Sequence, residues 1–329
     1  MTTAAAFVLG VDGGGTKTVA LVADQTGTIL SGARGSGSSL YDHADAIATI
    51  SNVSRQAIQG AGIGEDQIAA ATFSLSGADW PADFAFAQNA LAAEFNFPVE
   101  VINDAVGALQ AHIADGPGVV VVCGTGSTTC ARNAQGEVWF SGFWQLTPGG
   151  VDLGAAALRA ICAAELGIGP QTAMRDAALG RFALGSVEQL LNRFTAREQG
   201  ATTGELASLL LDAAEDGDSA ARAITANHGS GLGDMVLAAL SRVRVSGGRL
   251  PLALTGGVFR HPSPLLADAV TDRVKSRFPD VDLVAATTEP VLGAVFGALV
   301  QAGVRPDAAI RQRARATIPP SGLFSTAVS

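Results

Sequence analysis

The sequence lacks the features that mark secreted, membrane-spanning or nucleic-acid-binding proteins. Only three of its 329 residues are cysteine and none forms a CxxC pair, which disfavours disulfides and zinc sites and favours a reducing compartment. No apolar run is long enough to span a bilayer, and no basic segment precedes the first apolar stretch as in a secretory signal. The formal net charge of −9 disfavours nucleic acid and anionic membranes as partners. We therefore expect a cytoplasmic protein in which local backbone donors and a metal bind any anionic ligand.

Small apolar residues and glycine are plentiful instead. Apolar residues make up 48% of the chain, aromatic residues only 5%, and 40 residues are glycine. This composition is typical of a globular enzyme rich in alanine, valine and leucine, and a chain of this length usually forms two domains. The tail after Arg305, with Pro319-Pro320 and small polar residues, is predicted to be poorly ordered.

A glycine-rich stretch near the N-terminus is the first candidate site. The apolar run at 7–11 is followed by Asp12, Gly13, Gly14, Gly15, Thr16, Lys17 and Thr18. Consecutive glycines allow a tight turn and bring backbone N–H groups close to an anion. A carboxylate at the end of a strand can hold Mg²⁺ through water. A glycine-rich hairpin without a ligand is the alternative.

The same pattern returns later in the chain. An apolar run at 118–122 is followed by Cys123, Gly124, Thr125, Gly126 and Ser127. After each glycine loop the sequence predicts a strand, an Asx-x-x-Gly turn (24–27 and 133–136) and a returning strand. Further strands are predicted at 69–75, 99–102, 250–254 and 281–285, with helices at about 44–60 and 83–95, through most of 155–242, at 264–278 and from 290. The repeat predicts two similar α/β domains facing a cleft, with chance repetition of hairpins as the alternative.

Five stretches in a fixed order carry a family resemblance: Val8–Thr18, Ile102–Ala108, Val121–Ser127, Leu252–Val258 and Glu289–Leu299. They resemble the first phosphate loop, first connecting helix, second phosphate loop, adenosine loop and second connecting helix of the actin-like ATPase superfamily of sugar kinases, actin and heat-shock chaperones. Within it the chain is most similar to the N-acetylglucosamine kinase group and the related benzoyl-CoA-reductase-activator-type ATPases. The resemblance implies two ribonuclease-H-like domains, at 1–112 and, with a helical insert, at 113–329.

The resemblance also implies roles for the loop residues. The ATP phosphates would be bound by Gly13, Gly14, Gly15, Thr16, Lys17, Thr18, Gly124, Thr125, Gly126 and Ser127. Asp12 would hold Mg²⁺ through water, and Gly256 and Gly257 would pack against adenosine. Asp104 would be the general base that deprotonates a sugar hydroxyl. The alternatives are an N-cap role for Asp104 and a strand-to-helix turn for the Gly256-Gly257 pair.

The sugar-binding residues implied by the resemblance are Ser39, Asn103, Asp104, Gly126, Trp144 and Asp152. One stretch departs from the family pattern, because Gly142–Gly154 replaces the usual Gly-His-x-x-Gly-Asp-Glu-Gly-Ser-like motif, and Asp152 is the candidate for its sugar-binding acid. The alternatives are a solvated loop for Ser39, a strand end for Asn103 and a buried core aromatic for Trp144. The four histidines, His43, His112, His228 and His261, show no metal-ligand spacing.

The resemblance, together with these residues, implies an ATP- and Mg²⁺-dependent kinase that acts on a hexose or amino-hexose, first of all at the 6-hydroxyl of N-acetylglucosamine or glucosamine. A homodimer is compatible with the resemblance, although no stretch requires one. One rival is an ATPase that activates a partner redox enzyme through a cysteine-bound iron–sulfur cluster. The positions of Cys123 and Cys130 in predicted strands argue against it. A non-catalytic sugar sensor is a second rival, against which the presence of Asp12 and Asp104 argues, and a regulatory ATP-binding scaffold is a third.

Overall fold

The computed structural model describes residues 6–41, 45–144, 149–319 and 321–324. Within them the chain forms two compact units, Met1–Gly116 with Ala285–Ser329, and Pro117–Val284. Each unit contains one five-stranded sheet covered by helices.

The sheet of the first unit combines antiparallel and parallel strands. Its strands are β1 Phe7–Gly13, β2 Thr18–Asp24, β3 Ile29–Gly35, β4 Ile68–Leu75 and β5 Val99–Asn103, in the order β3-β2-β1-β4-β5. The first three form an antiparallel meander, and β4 and β5 run parallel to β1. The register aligns Gly13 with Leu75 and Leu75 with Asn103. The carboxyl ends of three parallel strands therefore meet at one edge.

The second unit repeats this topology. Its strands are β6 Gly118–Cys123, β7 Ser127–Arg132, β8 Val138–Phe140, β9 Leu250–Thr255 and β10 Val281–Val284, in the order β8-β7-β6-β9-β10. Again three antiparallel strands are followed by two parallel ones. The α/β repeat predicted from the two glycine loops is confirmed.

Helices cover both sheets. They are α1 Ala46–Gly60, α2 Pro81–Glu94, α3 Asp104–His112, α4 Gly150–Glu165, α5 Met174–Phe182, α6 Val187–Thr195, α7 Ala207–Glu215, α8 Ser219–Arg242, α9 Leu265–Lys275, α10 Val291–Gln301 and α11 Ala308–Thr317. The start of α1 predicted at Ala44 lies outside the described residues. Among the described helices, none combines the length and apolar character that crossing a membrane requires.

The division of the chain differs from the one predicted. The sequence assigned everything after residue 112 to the second domain, whereas 285–329 belongs to the first compact unit. Successive side chains of β1 point to opposite faces of the first sheet, and each face is covered by a different helix. Leu9 packs under α1 in one core cluster, and Val8 packs with Val295 of α10 in another.

Close helix packing explains the glycines of α10. A side chain on Gly293 would collide with the carbonyl of Gly107 in α3, and one on Gly297 would lie 3.0 Å from the hydroxyl of Thr72 in β4. Gly293 and Gly297 therefore lie where α3 and β4 approach the helix closely.

The prediction of a poorly ordered tail is wrong for the described part of it. Asp307 caps α11 by accepting a hydrogen bond from the Ile310 N–H at 2.9 Å, and Ala314 is buried in the core cluster that contains α10. The small polar residues and prolines of this tail gave no sign in the sequence that one face of α11 is buried.

Candidate active site

Carboxylates gather at the edge where the three parallel strands of the first unit end. Asp12 lies at the end of β1, Asp79 in the turn after β4, and Asp104 directly after β5. Asp104 and Glu289, which precedes α10, both act electrostatically on Asp12, and Asp79 acts on Asp104. The fold thus brings together two acids that the sequence singled out and two that it missed.

The sequence contains a feature from which Asp79 could have been predicted as a site residue. It follows a predicted buried strand within Ser76-Gly77-Ala78-Asp79-Trp80, as Asp12 and Asp104 follow theirs. Glu289 lies in the stretch that resembles the second connecting helix, but only the return of that helix to the first unit places it near Asp12.

Asn103, and not Asp104, is the N-cap of α3. Its Oδ1 accepts a hydrogen bond from the Ala105 N–H at 2.9 Å, and its amide donates to the Ala78 carbonyl at 3.1 Å and to Asp79 Oδ1 at 2.9 Å. The side chain is fixed by these bonds and the residue is only 1% exposed, which limits the contact with a sugar implied by the resemblance. The N-cap alternative for Asp104 is wrong.

The two central acids both hold protons more tightly than ordinary carboxyls. Burial raises the pKa of Asp12 to about 7, the charges of Asp104 and Glu289 add to the rise, and Lys17 opposes it. Burial also raises the pKa of Asp104 to about 6, with a contribution from Asp79. A carboxyl with a pKa close to neutral can act as a general base, and a site with several acids attracts a cation.

The hydroxyl and amine side chains of the first loop have different environments. Thr16 is exposed. Thr18 is fully buried, and its Oγ1 lies 2.7 Å from both the Ser36 carbonyl and the Ser38 hydroxyl. Lys17 donates a hydrogen bond to the Phe324 carbonyl at 2.6 Å. The predicted phosphate ligand Thr18 is therefore engaged inside the loop, because its hydroxyl bridges β2 to the segment after β3.

The glycines of the first loop also differ. A side chain on Gly13 would lie 2.7 Å from Ser38 Oγ and 2.9 Å from Leu75 Cδ2, so packing requires glycine there. A Cβ on Gly14 would lie 3.5 Å from the Lys17 carbonyl, an ordinary contact, and a Cβ on Gly15 would meet no described atom within 4 Å. Gly15 does not have a positive φ either. Nearby, Ser39 is buried at 3% exposure, so the solvated-loop alternative for it is wrong.

The second loop, which contains Gly124 and Gly126, has open space on one side of its backbone. Gly124 donates its N–H to the Gly126 carbonyl at 2.9 Å and accepts from the Gly150 N–H at 2.8 Å. The start of α4 lies directly behind, since a side chain on Gly149 would collide with Gly126. On the other side, Cβ atoms on Gly124 and Gly126 would meet no described atom within 4 Å, and neither residue has a positive φ. Thr125 is exposed and Ser127 is half-buried.

Gly256 and Gly257 follow β9, the parallel neighbour of β6. Gly256 has φ +101° and lies against the backbone of Cys123, where a side chain would collide. The turn alternative therefore accounts for Gly256. Gly257 meets no described atom within 4 Å.

Asp152 and Trp144 lie on the surface of the second unit. Asp152 is exposed and accepts a hydrogen bond from the Gly149 N–H at 3.0 Å, which helps to cap α4. Trp144 is 42% exposed and the Arg242 guanidinium lies 5.6 Å from its ring. The core-aromatic alternative for Trp144 is wrong. Residues 145–148, between these two side chains, lie outside the described residues.

The described cysteines and histidines form no metal site. Cys123 and Cys130 are 0% exposed, and burial raises the pKa of the Cys123 thiol to about 12. His43 lies outside the described residues. In the part of the chain that the structure describes, no three His, Cys, Asp or Glu side chains are grouped closely enough to hold a metal directly.

A family model supplies the identification. The model of the BadF/BadG/BcrA/BcrD ATPase family matches residues 9–300 of the chain. The chain belongs to the BadF/BadG/BcrA/BcrD ATPase family. The predicted relation to benzoyl-CoA-reductase-activator-type ATPases is therefore confirmed.

Two curated relatives of this chain are named as sugar kinases. The N-acetyl-D-glucosamine kinase of Dictyostelium discoideum is 25% identical over 312 residues, which cover 88% of this chain and 97% of that protein. The N-acetylmuramic acid/N-acetylglucosamine kinase of Clostridium acetobutylicum is 25% identical over 302 residues, covering 88% and 97%.

A solved structure shows the fold. A protein from Chromobacterium violaceum, provisionally named an N-acetylglucosamine kinase, is 24% identical, with a TM-score of 0.68 over 89% of this chain and 99% of that one. Together with the two matching sheets, this confirms the predicted α/β fold of actin-like ATPases.

Proposed function

We propose that this BadF-type ATPase is a kinase that transfers the γ-phosphoryl group of ATP to a hexose or amino-hexose. The 6-hydroxyl of N-acetylglucosamine or glucosamine is the first choice of acceptor. Membership of an ATPase family and the names of the two curated relatives support the reaction class. The observation that carries the proposal is that Asn103, and not Asp104, caps α3. The Asp104 carboxyl, which accepts hydrogen bonds from the backbone N–H groups of Asp104 and Ala105, instead interacts electrostatically with Asp12.

Asp104 is the general base in this proposal. A carboxyl with a pKa of about 6 is ionised at neutral pH and still basic enough to take the proton of a sugar hydroxyl as the new bond forms. Asp79 and Asn103 act as positioning residues, because they are hydrogen-bonded to each other at 2.9 Å and Asn103 orients the helix turn that carries Asp104.

The donor set fits Mg²⁺ bound through water. Asp12 lies among like charges that raise its pKa, so a nearby cation would favour its ionised form. The described residues include no group of three His, Cys, Asp or Glu side chains that could bind a metal directly. This agrees with Mg²⁺, which usually keeps several water ligands. When bound, the ion neutralises charge on the transferring phosphoryl group.

Open backbone at the two loops supports phosphate binding. Neither packing nor φ requires glycine at Gly15, Gly124 and Gly126, whereas the close approach of a phosphate to the backbone of the two loops would. In the proposal Gly13, Gly14, Thr16, Lys17, Thr125 and Ser127 complete the phosphate ligands, and Thr18 holds the first loop in shape. Gly257 approaches adenosine, while Gly256 forms the turn.

Ser39, Gly126, Trp144 and Asp152 stay proposed contacts of the sugar. Trp144 is 42% exposed, with Phe143 stacked against its ring and Arg242 over it, so in the proposal a pyranose contacts the exposed part of the indole. The cytoplasmic location and the homodimer stay predictions.

The activator alternative has less support. An exchangeable iron–sulfur cluster needs accessible thiolates, but Cys123 and Cys130 are 0% exposed and burial raises the pKa of Cys123 and, less strongly, of Cys162.

Release of ADP by the purified protein with Mg²⁺-ATP tests the proposal against a panel of hexoses, amino sugars and acetylated amino sugars. We expect one sugar to stimulate turnover at least 100-fold, in line with the contribution of a positioned general base and acceptor. Slow ATP turnover that no sugar changes would contradict the kinase proposal and favour the activator.

A further inference from the structure

A groove of about 430 Å³ lies between α4 and α8 of the second unit. Its polar lining includes Asp152 and Arg159 of α4, and Asn227, His228 and Asp234 of α8. Asp152 and Arg159 are seven residues apart, as are Asn227 and Asp234, so each pair lies on one helix face. The volume is within the range of small-molecule sites.

His228 is the unusual member of this lining. It is only 6% exposed, and its Nε2 is enclosed without a hydrogen-bond partner among the described residues. Burial lowers its pKa to about 4 against the opposing charge of Asp152, so the imidazole is neutral at pH 7 and Nε2 can donate or accept. Enclosed polar atoms are rarely left unpaired without a reason.

The charges of the groove are balanced. Arg159 opposes Asp152, and Asp234 is paired with Arg273, whose Nε donates to it at 2.6 Å. A polyphosphate or a simple cation would find no excess of opposite charge. Donors, acceptors and the apolar side chains of Ala156 and Ile224 together suit a neutral molecule whose hydroxyl groups both donate and accept hydrogen bonds.

We propose that this groove is the saccharide-binding surface of the second unit, where Asn227 and His228 of α8 join Asp152 in binding hydroxyl or acetamido groups of the substrate. The inference rests on the proposed function, because it extends the sugar contact assigned to Asp152. It adds residues from a helix that none of the five family-like stretches includes.

The first test separates sugar binding from ATP binding. N227A removes an exposed side chain and is expected to raise KM for N-acetylglucosamine at least fivefold, with KM for ATP within twofold of wild type. His228→Gln, which retains one amide donor and acceptor, should lie between wild type and His228→Ala. N52A, at an exposed position of α1, is the matched control and should change neither constant. Sugar KM values within twofold of wild type in N227A and in His228→Ala would overturn the proposal.

The second test needs no catalysis. N-acetylglucosamine titrated into the full-length protein without ATP should shift the imidazole NMR signal that disappears in His228→Gln, and N227A should weaken the binding curve at least fivefold. If wild type binds the sugar with this shift but phosphorylates nothing, the groove stands and the kinase proposal fails. If it phosphorylates the sugar with no shift at His228, the kinase proposal stands and the groove is overturned. If the sugar neither binds nor reacts, both are overturned.

Discussion

The two glycine loops follow equivalent strands of two sheets with the same topology, yet their surroundings differ in charge. At the edge of the first sheet, Asp12, Asp79, Asp104 and Glu289 interact electrostatically. Beside the second loop the structure offers open backbone at Gly124 and Gly126, and the start of α4 packs directly against it. In the proposed function both copies of the fold bind phosphate through backbone groups. Among the described residues, the titratable groups that the chemistry needs gather beside the first loop.

We expect the largest effect from a substitution among the acidic residues beside the first loop. Asp104→Asn keeps the shape of the side chain but removes the base, so we expect kcat to fall about 10³-fold, within the range for general bases. ATP affinity, measured by calorimetry, should change less than about threefold. Asp66→Asn, at an exposed position of the same unit, is the control. Near wild-type turnover in Asp104→Asn would remove Asp104 from its role.

We expect the next largest effect from a substitution in the backbone of the second loop. Gly126→Val places a side chain where no described atom lies within 4 Å, so the fold should tolerate it while the approach of a phosphate is blocked. We expect the Kd for ATP to rise at least about tenfold, or 1.4 kcal/mol, with Tm within about 2 °C of wild type. Gly180→Val is the control, because Gly180 in α5 has similar open space. Unaltered affinity in Gly126→Val would count against the second loop.

The raised pKa of Asp104 predicts a pH-dependent gain in stability on its replacement. Its pKa rises from an ordinary 3.8 to about 6 in the folded protein, so the folded state binds the proton more tightly than the unfolded state. Ionising Asp104 therefore costs stability: the cost grows as the pH rises from about 4 to about 6 and is complete above pH 6. We expect Asp104→Asn to raise the free energy of unfolding by about 1–3 kcal/mol at pH 8 and not at pH 4.

Urea unfolding of the protein without ligands at the two pH values measures this difference. An equal gain at both would show that burial of the charge is not its cause.

The smallest effect separates structure from binding within the first loop. Thr18→Val removes a buried hydroxyl that bridges to Ser36 and Ser38, and should cost about 1–2 kcal/mol of unfolding free energy. Thr16→Val, at an exposed position, should leave stability unchanged and weaken ATP binding a few-fold. The opposite pattern, with stability lost in Thr16→Val and affinity lost in Thr18→Val, would reverse the assignment.

Local patterns were sufficient to predict the sheets and the loops. The apolar runs before Asp12 and Cys123 predicted both buried strands, because strand, turn and glycine signals are short-range. The distinction between Asn103 and Asp104 was not accessible in the same way. Both residue types are good caps, and which one caps depends on where the backbone becomes helical.

Long-range packing accounts for the features that the sequence did not predict. The return of 285–329 to the first unit depends on Val295 and Gly293 fitting against β1 and α3, and no local signal reports such contacts. The same return brings Glu289 to Asp12. The burial of Thr18 and the exposure of Trp144 also depend on neighbours distant in sequence, which is why residue type alone could not decide either.

The most direct test of the kinase proposal follows the label from γ-³²P-ATP during turnover with N-acetylglucosamine, with the product identified by phosphorus–proton NMR correlation. We expect label in a sugar phosphate, with its phosphorus coupled to the protons on carbon 6, in a one-to-one ratio with ADP, and we expect this label to be lost in Asp104→Asn. ADP accompanied by label only in inorganic phosphate, for every sugar tried, would contradict it.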